Sequence, residues 1–230
     1  MNTNEVLVNS LLDLLKHSME EKSKEHFFSK YYQIRNLTID QTTPGMVQYY
    51  KDLLKRAIYL FNQDRNFNSI LSSIISLSYY LIQVDQFDEE LFSILDECYH
   101  LPDVRVKANT ITAFGEFDPN SELFKENINS KYNRIAAEAI IVESKKHLTD
   151  SLIIKIEEFL KSPNPFFISS GIYIVGQLIE FYKSHLPPEI HKLDLSIKKI
   201  EFYCKHPHEM IRKRALKTAE VIKMYYKKSA

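Results

Sequence analysis

A chain of 230 residues with 30 basic and 30 acidic side chains has no net formal charge, so no global field draws it to nucleic acid or to an anionic membrane. Only 4 glycines and 8 prolines interrupt a sequence that is 44% hydrophobic, which excludes a sandwich of many short strands and suits helices joined by short turns. Cys98 and Cys204, the only two cysteines, lie far apart, which argues against a disulfide framework or a Cys-x-x-Cys metal site and for a reducing, cytoplasmic setting.

In chain order, the N-terminal stretch has no basic leader and carries Glu5 and Asp13 inside its apolar pattern. It reads as an amphipathic helix over 4–17 with Val6, Leu7, Leu11, Leu14 and Leu15 on one side. A less regular helix over 20–36 follows, and the two together are expected to form an N-terminal helical cap, 1–43. Thr43-Pro44 is a start signal, threonine as cap and proline in the first turn, for a helix to about Phe61. The segment 67–84 is its inner partner. A helix over 88–99 pairs with one over 104–117, which Asp118-Pro119 ends, and a short helix near 120–129 leads to another over 132–147. Thr149 or Asp150 caps the next helix, which halts at Ser162-Pro163. Asn164-Pro165 restarts the chain as far as Tyr182. After the Pro187-Pro188 break, helices over 189–204 and 208–226 are divided at Pro207. Five helix pairs thus fill 44–230 as one continuous array. Two uncharged runs, 66–84 and 162–179, approach the length of a membrane span. Asn68, Gln83 and several serines in the first, and Pro163 and Pro165 in the second, favour inner helices sandwiched between neighbours.

The array repeats itself. Over 102–117, Val106, Ala108, Ile111 and Phe114 fall at helical spacing with Gly115 behind them, giving a face that is apolar and slim. Arg105-Val106-x-Ala108 aligns with Arg134-Ile135-x-Ala137, and Ile140 then matches Ile111. Gly176 placed under Gly115 brings Phe167, Ser169, Ile172 and Val175 to the same positions. A fourth copy sits at Ile211, Lys213, Leu216 and Ala219, and a weaker one at Ile70, Ser72 and Ile75. Helical self-similarity with a period of about 20–50 residues marks a stacked α-solenoid.

The run Asp103-Val104-Arg105-Val106-Lys107-Ala108-Asn109, with Ile111, Phe114 and Gly115, resembles the second helix of a HEAT repeat. Arg134 to Ile140 and Asn164 to Gly176 are similar to the same motif. The resemblance covers roughly 85–226 and implies an all-α, right-handed α-α superhelix of the armadillo type. Its second helices would line a concave face that holds a protein or peptide. Lys213 at a small-residue position and Glu220 where glycine is expected depart from the pattern and mark the last repeat as an end cap.

If positions like 106, 108, 111 and 114 face the core, those like 105, 109, 112 and 116 form another stripe on each inner helix. It reads Arg105, Asn109, Thr112, Glu116; Arg134, Glu138, Ile141, Lys145; Phe166, Ser170, Tyr173, Gln177; and Met210, Arg214, Lys217, Val221. Arginines, an acid and a central aromatic are the anatomy of a peptide-binding groove. The expected partner-binding residues are Arg105, Asn109, Arg134, Glu138, Ser170, Tyr173, Gln177, Arg214 and Lys217, with Glu138 a clasp for a basic group. The bland alternative is a stripe that merely solvates a helix face.

Enzymatic readings find little purchase. The chain has no Gly-rich phosphate loop, no nucleophile-base motif and no standard zinc spacing, so neither catalysis nor a cofactor is expected. Cys204, His206 and His208, with His185 and His191 nearby, read as loop residues rather than metal ligands. HEAT-like alkylpurine DNA glycosylases present tryptophans in a basic cleft, whereas this chain has no tryptophan. Residues 85–122 hold ten acidic against two basic groups, which opposes phosphate binding. The basic pair 189–226, with Lys198, Lys199, Lys205, Arg212, Lys213, Arg214 and Lys217, is the one place where nucleic acid could act. HEAT-like bilin lyases share the repeat, and a shared fold does not confer an activity. The reading favoured is a non-catalytic adaptor or scaffold that takes a protein or peptide segment.

Overall fold

Side-chain caps set many of the helix starts in the computed structural model, which describes residues 3–37, 42–83, 86–118, 122–182 and 188–228. Thr43 accepts from the Met46 amide, Asp88 from Leu91, Asp103 from Arg105 and Val106, and Asn164 from Phe166. Each satisfies amides that a helix start leaves without partners. Thr149, not Asp150, caps its helix, through the Leu152 amide. Every described element is helical: α1 (Thr3–Glu20), α2 (Lys24–Arg35), α3 (Pro44–Gln63), α4 (Asn68–Leu81), α5 (Glu89–His100), α6 (Val104–Phe117), α7 (Leu123–Asn127), α8 (Asn133–Lys146), α9 (Asp150–Lys161), α10 (Pro165–Tyr182), α11 (Asp194–Tyr203) and α12 (Glu209–Lys228). The protein is all-α. Lys22, at φ 57°, turns the chain between α1 and α2, so the second helix starts later than residue 20 and is capped by Ser23. The outer helix expected over 189–204 opens instead as a 3₁₀ segment, Pro188–Leu193.

Contacts gather the chain into two units, Met1–Asn120 and Ser121–Ala230. In the first, α1 packs on α2 and α3, α3 on α4 and α5, α2 on α4, and α4 and α5 on α6. In the second, α7 packs on α8, α9 on α10 and α11 on α12, while α8, α10 and α12 pack side by side and α9 lies on α11. Within each unit, then, second helices stack on second helices. The expected core positions Val106, Ala108, Ile111, Phe114, Ile135, Ala137, Ile140, Ser169, Ile172 and Val175 are buried, as are Ile70, Ser72 and Ile75. Phe167 is half-buried. Burying each of the larger aliphatic side chains contributes about 1.5–3 kcal/mol.

Helix α10 shows how slim residues permit this packing. It buries most of its residues, and neighbouring helices leave little room for a side chain at either of its two glycines. A methyl group added at Gly171 would sit 3.0 Å from the Phe159 side chain and 3.1 Å from the Leu160 backbone nitrogen on α9. One at Gly176 would meet Thr218 of α12 at 3.1 Å. The fourth copy needs correcting in register: α12 buries Ile211, Ala215, Thr218 and Ile222, while Lys213 and Leu216 are exposed and Ala219 is half-buried. A lysine cannot leave solvent without a partner, so the helix turns it outward.

The two uncharged runs fall mainly on α4 and α10, and no helix among the described residues is long and apolar enough to cross a membrane. Adjacent tyrosines occur at 31–32, 49–50, 79–80 and 225–226; Tyr31 and Tyr50 are buried while Tyr32 is exposed and Tyr49 half-buried. Tyr79 and Tyr80 are both half-buried, and the side chains of Tyr225 and Tyr226 lie outside the described residues.

Candidate functional site

A cleft of about 320 Å³ opens on the second unit, lined by Asn133, Arg134, Ala137 and Glu138 of α8, Phe166, Ser169, Ser170 and Tyr173 of α10, and Met210 and Arg214 of α12. The spacing explains the convergence. On each helix the lining residues recur three or four positions apart, so they share one face and occupy the first turns. Ala137 and Ser169 are small and buried, and they form the floor. Arg134, Phe166 and Arg214 are exposed and form the rim, Phe166 being 60% accessible despite its size.

Polar contacts fix the walls. The Asn133 side-chain amide donates to Ser170 Oγ at 2.7 Å and to the Phe166 carbonyl at 3.3 Å, tying α8 to α10. Tyr173 donates its hydroxyl to the Glu138 carboxylate. Burial and the Glu138 charge push the Tyr173 phenol well above its ordinary range, against the opposing pull of Arg134 and Arg214. The Arg214 guanidinium stands 5.4 Å from the Tyr173 ring centroid, a cation–π contact worth about 0.5–1 kcal/mol at an exposed site.

Five expected site residues therefore meet in one cleft: Arg134, Glu138, Ser170, Tyr173 and Arg214. Phe166 and Met210 of the same stripe join them. Gln177 and Lys217 are exposed but do not line the cleft. Arg105 and Asn109 belong to the other unit, where Arg105 is exposed and Asn109 donates to the Ser72 carbonyl at 2.7 Å and hydroxyl at 2.9 Å. Two stripe assignments change. Ile141 is core, and Glu138, only 6% accessible, is a buried hydrogen-bond acceptor rather than an open clasp for a basic group. Asn133 was not among the expected site residues, although the weaker copy carries an amide at the matching position, Asn68, which donates to Asp103 at 3.0 Å.

Several cations of the basic C-terminal segment are engaged with acids or carbonyls. Lys192 pairs with Asp150 at 2.8 Å, Lys199 with Glu157, and Lys213 with Glu209 at 2.6 Å. Arg212 donates to the carbonyls of His206 and Pro207. His206 Nδ1 accepts from the His208 amide, and His185 lies outside the described residues. No cluster of three or more His, Cys, Asp or Glu residues fit to hold a metal occurs among the described residues.

No protein-family model and no curated protein sequence matches the chain. Among solved structures it is similar to the crystal structure of an engineered protein from the Northeast Structural Genomics Consortium, at 13% identity over 98% of each chain and a TM-score of 0.39. A superposition that loose carries no argument about fold or function.

Proposed function

We propose that this is a HEAT-like repeat protein acting as a non-catalytic binding module, and that its partner is a protein or peptide segment received on the stacked second helices of the second unit. The observation that carries the reading is the gathering of Arg134, Tyr173, Arg214 and Phe166 from three successive second helices around one cleft. Arginine and large aromatics are the residues in which interface energy concentrates. A non-catalytic role is favoured because the Ser170 hydroxyl is bonded to Asn133 and no histidine or cysteine lines the cleft to supply a base or nucleophile.

The test is to pan a displayed random-peptide library against the whole protein. Enriched peptides should lose at least tenfold in affinity with Phe166→Ala or Arg214→Ala, both exposed positions where folding is spared. Peptides indifferent to both changes would place binding elsewhere. Nucleic acid is the less supported alternative, since Lys199 and Lys213 are held in ion pairs; retention of duplex DNA at low salt, abolished by Lys205→Glu, would revive it.

A further inference from the structure

We infer that the cleft between α8, α10 and α12 selects a single carboxylate, that of a glutamate side chain within an otherwise apolar peptide segment. The inference rests on the binding-surface reading above. It begins from charge. Two guanidinium groups and one buried carboxylate line the cleft, so its lining carries a net charge of +1. A glutamate brought between Arg134 and Arg214 would neutralise the site, and the planar guanidinium fork matches a carboxylate through paired hydrogen bonds. A phosphate, with a charge of about −1.5 to −2, would leave net negative charge beside Glu138. Uncompensated charge at a partly buried site is costly.

Size and lining point the same way. The volume, about 320 Å³, stands at the low end of ligand cavities, which run from about 300 to 1,000 Å³. It suits a side chain or two, not a folded element. Phe166 and Met210 supply an apolar wall beside the arginines, so the residue next to the acid should be apolar. Because the lining comes from three adjacent helices, the trough lies across them and suits a segment passing over rather than a chain end.

Glu138 acquires a role in this arrangement. It holds Tyr173 by a hydrogen bond and opposes the incoming anion, so it sets the upper limit of charge the cleft tolerates. Glu138→Gln keeps a hydrogen-bonding oxygen for Tyr173 while removing that charge. The variant should bind acids more tightly and lose discrimination against phosphate.

The probes are capped tripeptides, acetyl-Leu-X-Leu-amide, with X as Glu, Gln or phosphoserine, and acetyl-Leu-Gln-Leu as the free acid. Binding is followed by NMR titration of the whole protein. The Glu peptide is expected to bind at least tenfold tighter than the Gln peptide and no weaker than the phosphoserine peptide. Arg134→Gln and Arg214→Gln should each erase most of that preference, and Glu138→Gln should tighten Glu binding several-fold. Equal affinity for Glu and Gln, a tenfold preference for phosphoserine, or binding of the free acid alone would overturn the inference. If library-derived peptides still depend on Phe166 in any of those cases, the surface reading stands and only the carboxylate selectivity fails. If those peptides ignore Phe166 and no tripeptide shifts the cleft residues, both fail.

Discussion

Gly171→Ala isolates the packing of α10 against α9. The added methyl would stand 3.0 Å from Phe159 Cβ, 3.1 Å from Leu160 Cδ2 and 3.1 Å from the Leu160 nitrogen. The leucine terminus can rotate away, but the other two atoms are fixed to the α9 backbone, so the helix itself has to move. Overpacking that has to move backbone falls at the upper end of the usual range, about 2–3 kcal/mol, offset by about 1 kcal/mol because alanine favours a helix over glycine. The balance is a loss of about 1–2 kcal/mol, or about 4–8 °C in Tm for a unit of this size. Gly176→Ala is the internal control, since its methyl would meet only the Thr218 side chain, at 3.1 Å and 3.2 Å. Small adjustments of that side chain should hold the change within about 1 kcal/mol of zero. Thermal melts followed by circular dichroism decide between the two. A Gly171→Ala protein as stable as wild type, or less affected than Gly176→Ala, would refute the fixed-backbone reasoning.

Three further outcomes are expected. Lys51 is buried, its ammonium bonded to Asp88 and, at 3.0 Å, to Glu90. Burial alone would lower its pKa, but the two carboxylates outweigh it and raise the value, while Lys51 in turn lowers Asp88. The Asp88 contribution is full above its ordinary pKa of 3.8 and lost as pH falls through the depressed folded value. The Lys51 contribution is full below 10.5 and lost as pH rises through the raised one. Denaturant melts of Lys51→Met should therefore show a flatter dependence of stability on pH at both extremes, and slopes identical to wild type would contradict the coupling. Ala108→Leu, at a fully buried position on α6, should cost about 1–3 kcal/mol through overpacking, and an unchanged Tm would displace Ala108 from its helix contact. Burial raises both thiols, with Cys98 fully enclosed and Cys204 half-buried. A thiol-exchange reagent at pH 8 should label Cys204 first and Cys98 only as the protein unfolds; comparable rates would indicate that the first unit opens readily.

Helix positions were legible because punctuation and periodicity agreed. Thr43-Pro44, Asn164-Pro165 and the apolar spacing over 104–117 each have one cheap structural solution. The register of α12 was not legible. Aligning Lys213 with Ala108 required burial of a cation, and a one-residue shift that buries Ala215 and Thr218 avoids it. The cleft was half legible. Helical periodicity places side chains around a helix axis, so it brings Arg134, Tyr173 and Arg214 to one face of successive second helices. It cannot say how deeply a side chain sits, and so it misread Glu138 and Ile141. Nor can it supply partners such as the Asn133 amide on Ser170, which depend on how far one helix slides along the next.

The floor of the cleft is made by Ala137 and Ser169, which also form part of the helix contact that closes the second unit. Depth for a guest and economy of packing are therefore one variable at these two positions. A larger side chain at either position meets two constraints at once: outward it closes the recess, and inward it overpacks the contact between α8 and α10, at about 1–3 kcal/mol. Alanine and serine at 137 and 169 are small enough to satisfy both, so the same two side chains set the spacing of the helices and the depth of the cleft.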